Sequence, residues 1–300
     1  MSVSLEQWKA LISVVDSGGY EKAAEALDKS QSSVTYAVQK LESQLGVKAF
    51  EVKGRKAVLT PTGQFLYRRA RALVEEADAT ERAAKQLSAG WEAEIGLSVD
   101  SAFPTWLMMD CLARFGAESP HTRIEWHESV ISGAAEALLQ GRAALAITGM
   151  IPQGFSGEPL MPIRFIPAAH PEHPLHKLGR RPTMQDLRAH RVLVIRESGS
   201  QRLRPVRVEA APRWTVSHMS TSIEAARKGH GYGWYPDYRI GEEVAAGLLK
   251  PLQLRDGGEN VAQLYLVFAD RDAAGPGLLR LAAIIRERVQ AACSEERKKP

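Results

Sequence analysis

Cysteine is nearly absent from this chain. Two residues of 300, Cys111 and Cys293, are too few for a disulfide framework or a cysteine-built zinc cluster. Nor does any apolar run approach the roughly 18 residues needed to cross a bilayer. Glu6 and Lys9 interrupt the first apolar pattern, which excludes a secretory signal at this end. A soluble, cytoplasmic protein without a membrane partner is expected. The common catalytic signatures are missing too: neither Gly-x-Ser-x-Gly nor Gly-x4-Gly-Lys-Ser/Thr occurs, and residue order defines no Ser/His/Asp set. Charge of one sign is also scarce. The net charge is +4, and residues 1–90 hold 13 Lys and Arg against 11 Asp and Glu. Bulk charge therefore does not argue for nucleic acid; only the placement of basic groups would. What is present is ordinary globular material, 44% hydrophobic and 25% charged, in a length that suggests about two domains.

The first 60 residues read as short helices. Leu5, Trp8, Leu11, Ile12 and Val15 form one apolar stripe, which ends at Ser17-Gly18-Gly19. Tyr20 to Leu27 follows, with Ala23 and Ala24 small enough to let another helix come close. A third pattern, Val34, Val38, Leu41 and Leu45, opens after Ser30, a good N-cap, and stops at Gly46. Its opposite face carries Gln31, Ser32, Ser33, Thr35, Tyr36, Gln39 and Lys40, with no acidic residue before Glu42. A second helix presenting donors and acceptors from its N-terminal end has helix-turn-helix form. Ser33, Thr35, Tyr36 and Gln39 are the candidates for base edges; Ser30, Gln31, Ser32 and Lys40 are the candidates for phosphate or sugar. The stretch from Lys48 to Thr60 reads as a hairpin with Lys53, Arg55 and Lys56 at its tip, a basic wing for the DNA backbone or minor groove. Spacing alone also allows a small three-helix domain with a serine-rich surface.

Thr60-Pro61 then starts a helix to about Ala89. Leu66, Ala70, Leu73, Ala77, Thr80, Ala84 and Leu87 recur at alternating intervals of four and three, a heptad seam. Such a seam suits dimerisation through residues 61–90, and equally a helix lying on its own domain. Beyond Ser88-Ala-Gly90-Trp91 the texture changes to short strands at Ile95–Val99, Arg123–His127, Leu145–Thr148, Ile163–Ala168, Val192–Ile195, Trp214–Val216, Gly233–Tyr235 and Tyr265–Ala269. Helical patterns fall between them. That alternation predicts an α/β domain with mainly parallel sheets.

Gly19-Tyr-Glu-Lys-Ala23-Ala24-Glu-Ala-Leu27-Asp-Lys-Ser30-Gln31-Ser-Ser-Val34-Thr35, followed by Gln39-Lys-Leu41-Glu42, Leu45-Gly46, Phe50-Glu, Gly54-Arg55, Leu59-Thr60 and Gly63, resembles the helix-turn-helix signature of LysR-type transcriptional regulators. Later, His173-Pro174-Leu175 and Gly229-His-Gly231-Tyr-Gly233 extend the likeness. Ser32 stands where proline is common in that family, and Tyr36 where a basic residue is frequent. The resemblance implies a winged helix-turn-helix over about 1–60, a linker and dimerisation helix over 61–90, and an effector-binding domain over 91–300. That last domain would be two-lobed and periplasmic-binding-protein-like, with lobe I over about 91–162 and 267–293 and lobe II over about 163–266. It also implies a homodimer or homotetramer on an interrupted palindrome of double-stranded DNA, responding to a small molecule between the lobes.

Ligands of such α/β folds sit at strand carboxyl ends beside helix N-termini. By that rule the effector candidates are Asp100, Ser101 and Phe103, then Thr148 and Gly149, then Arg196 and Ser198. His218, Ser220 and Thr221, with Trp234 and Pro236 as an apolar wall, complete the set. Hydroxyls, helix ends and Arg196 suggest an organic or aromatic carboxylate, against which Asp100 would need a partner such as Arg196. His170, His173 and His176 lie among prolines and read as a solvated loop, so no metal and no cofactor is expected. The scattered run Arg196, Arg202, Arg204, Arg207 and Arg213 reads as a basic loop. Two other classes stay open on the residues alone: a binding or carrier protein whose helical front end only assembles it, and an α/β enzyme with an added dimerisation module.

Overall fold

The computed structural model describes residues 3–53, 56–200, 208 and 212–296. The chain divides into two compact units, Met1–Ala89 and Gly90–Pro300.

In the first unit, α1 (Leu5–Asp16), α2 (Tyr20–Ala26) and α3 (Gln31–Leu45) precede a hairpin of β1 (Phe50–Lys53) and β2 (Lys56–Leu59), then α4 (Pro61–Ser88). The caps behave as their residue types dictate. Ser4 and Gln7 form a reciprocal capping box on α1, Ser30 Oγ accepts the N–H of Ser33 at the start of α3, and Gly46 ends α3 at φ 66°. Val34 and Val38 pack on Ala10, Val14, Ala23 and Ala24, so the two alanines bring α2 against α3 as their size allows. A second cluster corrects part of the seam expectation. Ala70 is buried with Val3, Leu11, Leu41 and Ala49, and Leu66 packs beside it. These two residues serve their own domain, because α1 lies along the first half of α4; the Lys9–Asp78 ion pair (3.1 Å) continues that contact. Leu73, Thr80, Ala84 and Leu87 remain exposed, and Ala77 is half-buried.

In the second unit, β3 (Glu94–Asp100), α5 (Thr105–Glu118), β4 (Arg123–Ser129), α6 (Ser132–Leu139), β5 (Leu145–Thr148), β6 (Gly157–Ala169), α7 (Met184–Arg188), β7 (Val192–Ile195), β8 (Arg213–Val216), α8 (Met219–Arg227), β9 (Tyr232–Pro236), α9 (Gly241–Ala245), β10 (Lys250–Pro251), β11 (Asn260–Phe268) and α10 (Pro276–Glu296) follow in order. One nine-stranded sheet runs β4-β3-β5-β11-β6-β9-β7-β8, with β10 on the flank of β6. It is mixed, which corrects the expectation of mainly parallel pairing. The flanks are parallel, β4-β3-β5 on one side and β9-β7-β8 on the other, while β6 and β11 join them antiparallel to each other. Both joining strands are longer than their apolar runs. Pro159 and Pro162 break the alternation of β6, and the pairing absorbs them with a register shift at Leu264/Tyr265.

Separate cores mark two lobes. Ile95, Leu97, Val99, Leu145 and Ile147 are sandwiched with α5 and α10, whereas Leu193, Met219, Ile223, Ala226 and Tyr235 form another core under α8. Between β9 and β10 lie a single 3-10 turn, Asp237–Arg239, and the short α9.

Candidate effector cavity and DNA-reading face

On α3, Gln31, Ser32, Ser33, Gln39 and Lys40 are exposed around Tyr36, which is 64% exposed. The Lys40 ammonium lies 5.8 Å from the Tyr36 ring centroid, so the aromatic ring and the cation form one surface feature. The small hydroxyls are tied up locally. Ser30 Oγ lies 2.7 Å from Ser33 Oγ and 3.0 Å from Ser32 Oγ, and Thr35 donates to the Gln31 carbonyl at 2.8 Å. That leaves Tyr36 and Gln39, of the four candidate base readers, as the long side chains projecting without such a tie.

The wing is fastened to α3 by a buried acid. Glu42 Oε1 accepts the N–H groups of Ala49 (2.7 Å) and Phe50 (3.1 Å), and Oε2 accepts from Lys48 (3.0 Å). Burial pushes the Glu42 pKa up, but these three donors outweigh it and hold the carboxyl below its ordinary value. Thr60 closes the other end, accepting from Gly63 N–H and donating to the Lys48 carbonyl. Gly63 must be glycine, since a Cβ there would stand 2.0 Å from the Ala49 carbonyl oxygen. At the tip, Lys53 and Lys56 pair across the hairpin backbone, their side chains outside the description; Arg55 lies outside the described residues.

The second unit holds a cavity of about 360 Å³ between its lobes. It gathers Asp100, Ser101, Gly149, Arg196 and Trp234 from the expected set. Asp100 ends β3 and is 7% exposed; its Oδ1 accepts from Ala102 N–H (2.9 Å) and its Oδ2 from Ile131 N–H (3.2 Å). Trp234 packs edge-on to Tyr232 and donates to the Gly258 carbonyl at 3.1 Å.

The other expected residues do not line the cavity, each for a local reason. Phe103 is buried in the first lobe's core. Thr148 is fully buried with its hydroxyl bonded to the Met150 backbone. Ser198 Oγ faces across the lobes instead, accepting Val130 N–H at 2.8 Å. His218, Ser220 and Thr221 sit exposed at the start of α8, and the neighbouring Met219 turns inward in their place. Pro236 is buried in the sheet, paired with Phe165.

Val130 and Ile131, Val192 to Ile195, Phe165, Arg213, Thr215, Ala262 and Leu264 were not foreseen as lining. The strand-end rule, applied to β4, would have found Val130 and Ile131. Nothing in the sequence marks Phe165, Ala262 and Leu264, which reach the cavity from the antiparallel strands. Across the mouth, Ser198 N–H donates to the Val130 carbonyl (3.2 Å), Ser200 N–H to Glu136 (2.6 Å), and Tyr238 OH to the Ala102 carbonyl (3.0 Å).

The histidines correct the solvated-loop expectation: His173 is buried and caps the 3-10 turn Pro174–His176, and His176 is half-buried. His170 and His173 accept the N–H groups of Glu172 and Leu175, and His173 packs on His190 with centroids 5.1 Å apart. Among the described residues no group of three or more His, Cys, Asp or Glu is placed to hold a metal ion, and no helix is long and apolar enough to cross a membrane. Arg202, Arg204 and Arg207 lie outside the described residues.

Comparison with known proteins bears on both units. Residues 5–64 match the family described as bacterial regulatory helix-turn-helix protein, lysR family, and residues 88–290 match the LysR substrate binding domain. The chain is 26% identical over 283 residues to the probable HTH-type transcriptional regulator YhaJ of Escherichia coli (strain K12), covering 91% of this chain and 93% of that one. It is 29% identical over 264 residues to the HTH-type transcriptional regulator CrgA of Neisseria meningitidis, covering 84% and 86%. The solved structure of CrgA from Neisseria meningitidis (TM-score 0.52, 24% identity, 95% of this chain and 98% of that chain) shares the fold, as does full-length LysG from Corynebacterium glutamicum (TM-score 0.52, 20% identity, 96% and 98%). With one family match falling on the helix-turn-helix unit and the other on the two-lobed unit, the chain belongs to the LysR family of DNA-binding, effector-responsive transcriptional regulators, which are not enzymes.

Proposed function

We propose that α3 enters the major groove with Tyr36 and Gln39 against base edges. Ser30, Gln31, Ser32, Ser33, Thr35 and Lys40 would then line the sugar–phosphate rim, and the wing residues Lys53, Arg55 and Lys56 would touch the backbone. The observation that carries this is the exposed face of α3, which has no acidic residue before the buried Glu42 and centres on the Tyr36–Lys40 pair. Residues 1–60 form the reading module. The part of α4 left free by α1 (Leu73, Ala77, Thr80, Ala84 and Leu87) joins protomers into a homodimer or homotetramer, so that two copies of α3 meet an interrupted palindrome. Residues 91–300 take a small-molecule effector into the interlobe cavity, with β6 and β11 as the strands about which the lobes adjust. The protein works in the cytoplasm, where its DNA is.

Two substitutions test the division of labour. Arg55→Ala should weaken binding to all duplexes alike and reduce the log–log salt slope by about one. Tyr36→Ala should change which base is preferred at one position of each half-site. A uniform loss of affinity in both variants would remove Tyr36 from the base-reading set.

A further inference from the structure

In the first unit α1 lies between the reading helix and the long helix. On one side Ala10 and Val14 pack with Val34 and Val38 of α3; on the other Leu11 packs with Ala70 of α4. The direction of α4 relative to the reading face is therefore set by how α4 sits on α1. The apolar part of that contact is short. Leu66 and Ala70 meet Trp8, Leu11 and Ile12, which occupies roughly 6 Å of α4 at 1.5 Å per residue.

Two polar ties bracket it. Tyr67 OH donates to Asp16 Oδ1 at the C-terminal end of α1, and Arg71 Nη1 donates to the same hydroxyl at 3.4 Å. Nearer the start of α1, Lys9 Nζ meets Asp78 Oδ1 at 3.1 Å. The order of these contacts makes the two helices antiparallel, and the ties stand roughly 16 Å apart along α4. Lys9 and Asp78 are partly exposed and Asp16 is exposed, so pairs of this kind contribute little stability.

What the ties restrict is direction. A helix held at one short apolar contact is free to tilt and roll about it, whereas one held on both sides of that contact is not. The free seam of Leu73, Thr80, Ala84 and Leu87 runs outward from there, with Leu87 roughly 25 Å beyond Ala70. A tilt of about 8° about Ala70 would carry Leu87 by roughly 3.5 Å, one base-pair step of duplex DNA. Each added base pair also turns the second half-site by about 34° about the duplex axis, which a rolling α4 would follow and a tied one would not.

We propose that the Asp16–Tyr67 and Lys9–Asp78 ties determine spacing in DNA recognition: they hold α4 at a fixed angle to α3 and so set how far apart the two half-sites must lie. These are positioning residues, separate from the base-reading face of α3. The inference rests on protomers joining through α4 and on reading by α3.

The test uses the full chain and duplexes with two inverted copies of the half-site it selects. The copies are placed at the selected separation, or with one base pair added or removed, and binding is read by fluorescence anisotropy. The natural chain should bind either altered duplex at least tenfold more weakly. In Lys9→Ala combined with Tyr67→Phe that penalty should fall to threefold or less, while affinity for a duplex with a single half-site and the preferred bases stay unchanged. Lys9→Arg, which keeps the pair, should keep the natural penalty. Should the double variant not fold, Asp78→Asn removes the second tie from its other partner and should lower the penalty at least twofold.

A natural chain indifferent to one base pair would overturn the proposal, as would a penalty that survives in the variants. So would a variant that loses single half-site affinity along with spacing preference, since that marks a general structural role. Two selected half-sites with an unchanged penalty sink this inference alone. A selected duplex with one half-site, or a chain that stays monomeric on it, sinks the reading beneath it as well.

Discussion

Removing Glu42 should release the wing from α3. In Glu42→Ala the N–H groups of Ala49 and Phe50 lose the oxygen that both share. Ala49 is fully buried, so water cannot replace the acceptor there without opening the packing. An unsatisfied buried donor costs about 1–3 kcal/mol. With Phe50 half-buried, the two together should cost about 3 kcal/mol, offset by a few tenths from the better helix propensity of alanine. The Lys48 pair adds little, because that lysine is 78% exposed. Glu42→Gln keeps one carbonyl oxygen for both N–H groups and should cost about 1 kcal/mol. Amide exchange at Ala49 and Phe50 reads the effect where it arises, with urea unfolding as the global measure; about 3 kcal/mol corresponds to roughly 100-fold faster exchange. The sign with pH follows from the carboxyl being held below its ordinary value. Its stabilisation is full above pH 4.5 and is lost as pH falls through the lowered pKa. Equal exchange in Glu42→Ala and the natural chain, or equal damage from Ala and Gln, would mean that the Glu42 carboxylate does not hold the wing.

Burial, with help from neighbouring histidines, drives the pKa of His173 down to about 4 from 6.5. A depressed histidine favours folding above the unfolded value, so the second unit should lose up to about 3 kcal/mol as pH falls from 6.5 to 4, and His173→Gln should flatten that slope in pH-dependent unfolding. Gly133→Ala should break the contact across the cavity mouth, because its Cβ would fall 1.9 Å from Ser198 Oγ. The variant should lose the Val130–Ser198 pair, about 1–2 kcal/mol, with faster exchange at Val130 and Ser198; unchanged exchange there would count against the contact.

Much of the first unit could be read from residues because its determinants are local. Ser30 and Gly46 act within a turn of where they stand, and the Val34–Val38–Leu41 spacing names its own buried face. The seam on α4 was half legible. A four-three rhythm states that a face is apolar but not what covers it, and Leu11 of α1 covers Ala70. In the second unit, Leu145–Thr148 and Val192–Ile195 were exact, being short apolar runs, the first buried throughout and the second buried over Val192 and Leu193. The joining strands were not, since Pro159, Pro162 and the half-exposed residues of Asn260–Leu264 hide an antiparallel pairing that only tertiary contact reveals. Asp100 stood in the right place by the strand-end rule. Its bond to the Ile131 N–H depends on the turn at Ile131, which no residue pattern announces.

The account stands or falls on sequence reading by α3. Selection of duplexes from a randomised pool at about 150 mM salt, using the full chain, measures it directly. The account predicts enrichment of two inverted half-sites with centres a whole number of helical turns apart, about 34 Å or a multiple. It also predicts that at least one enriched position changes identity when Tyr36→Ala replaces the natural chain. A pool that stays random while binding remains salt-sensitive would contradict it, leaving a surface that holds DNA without reading it.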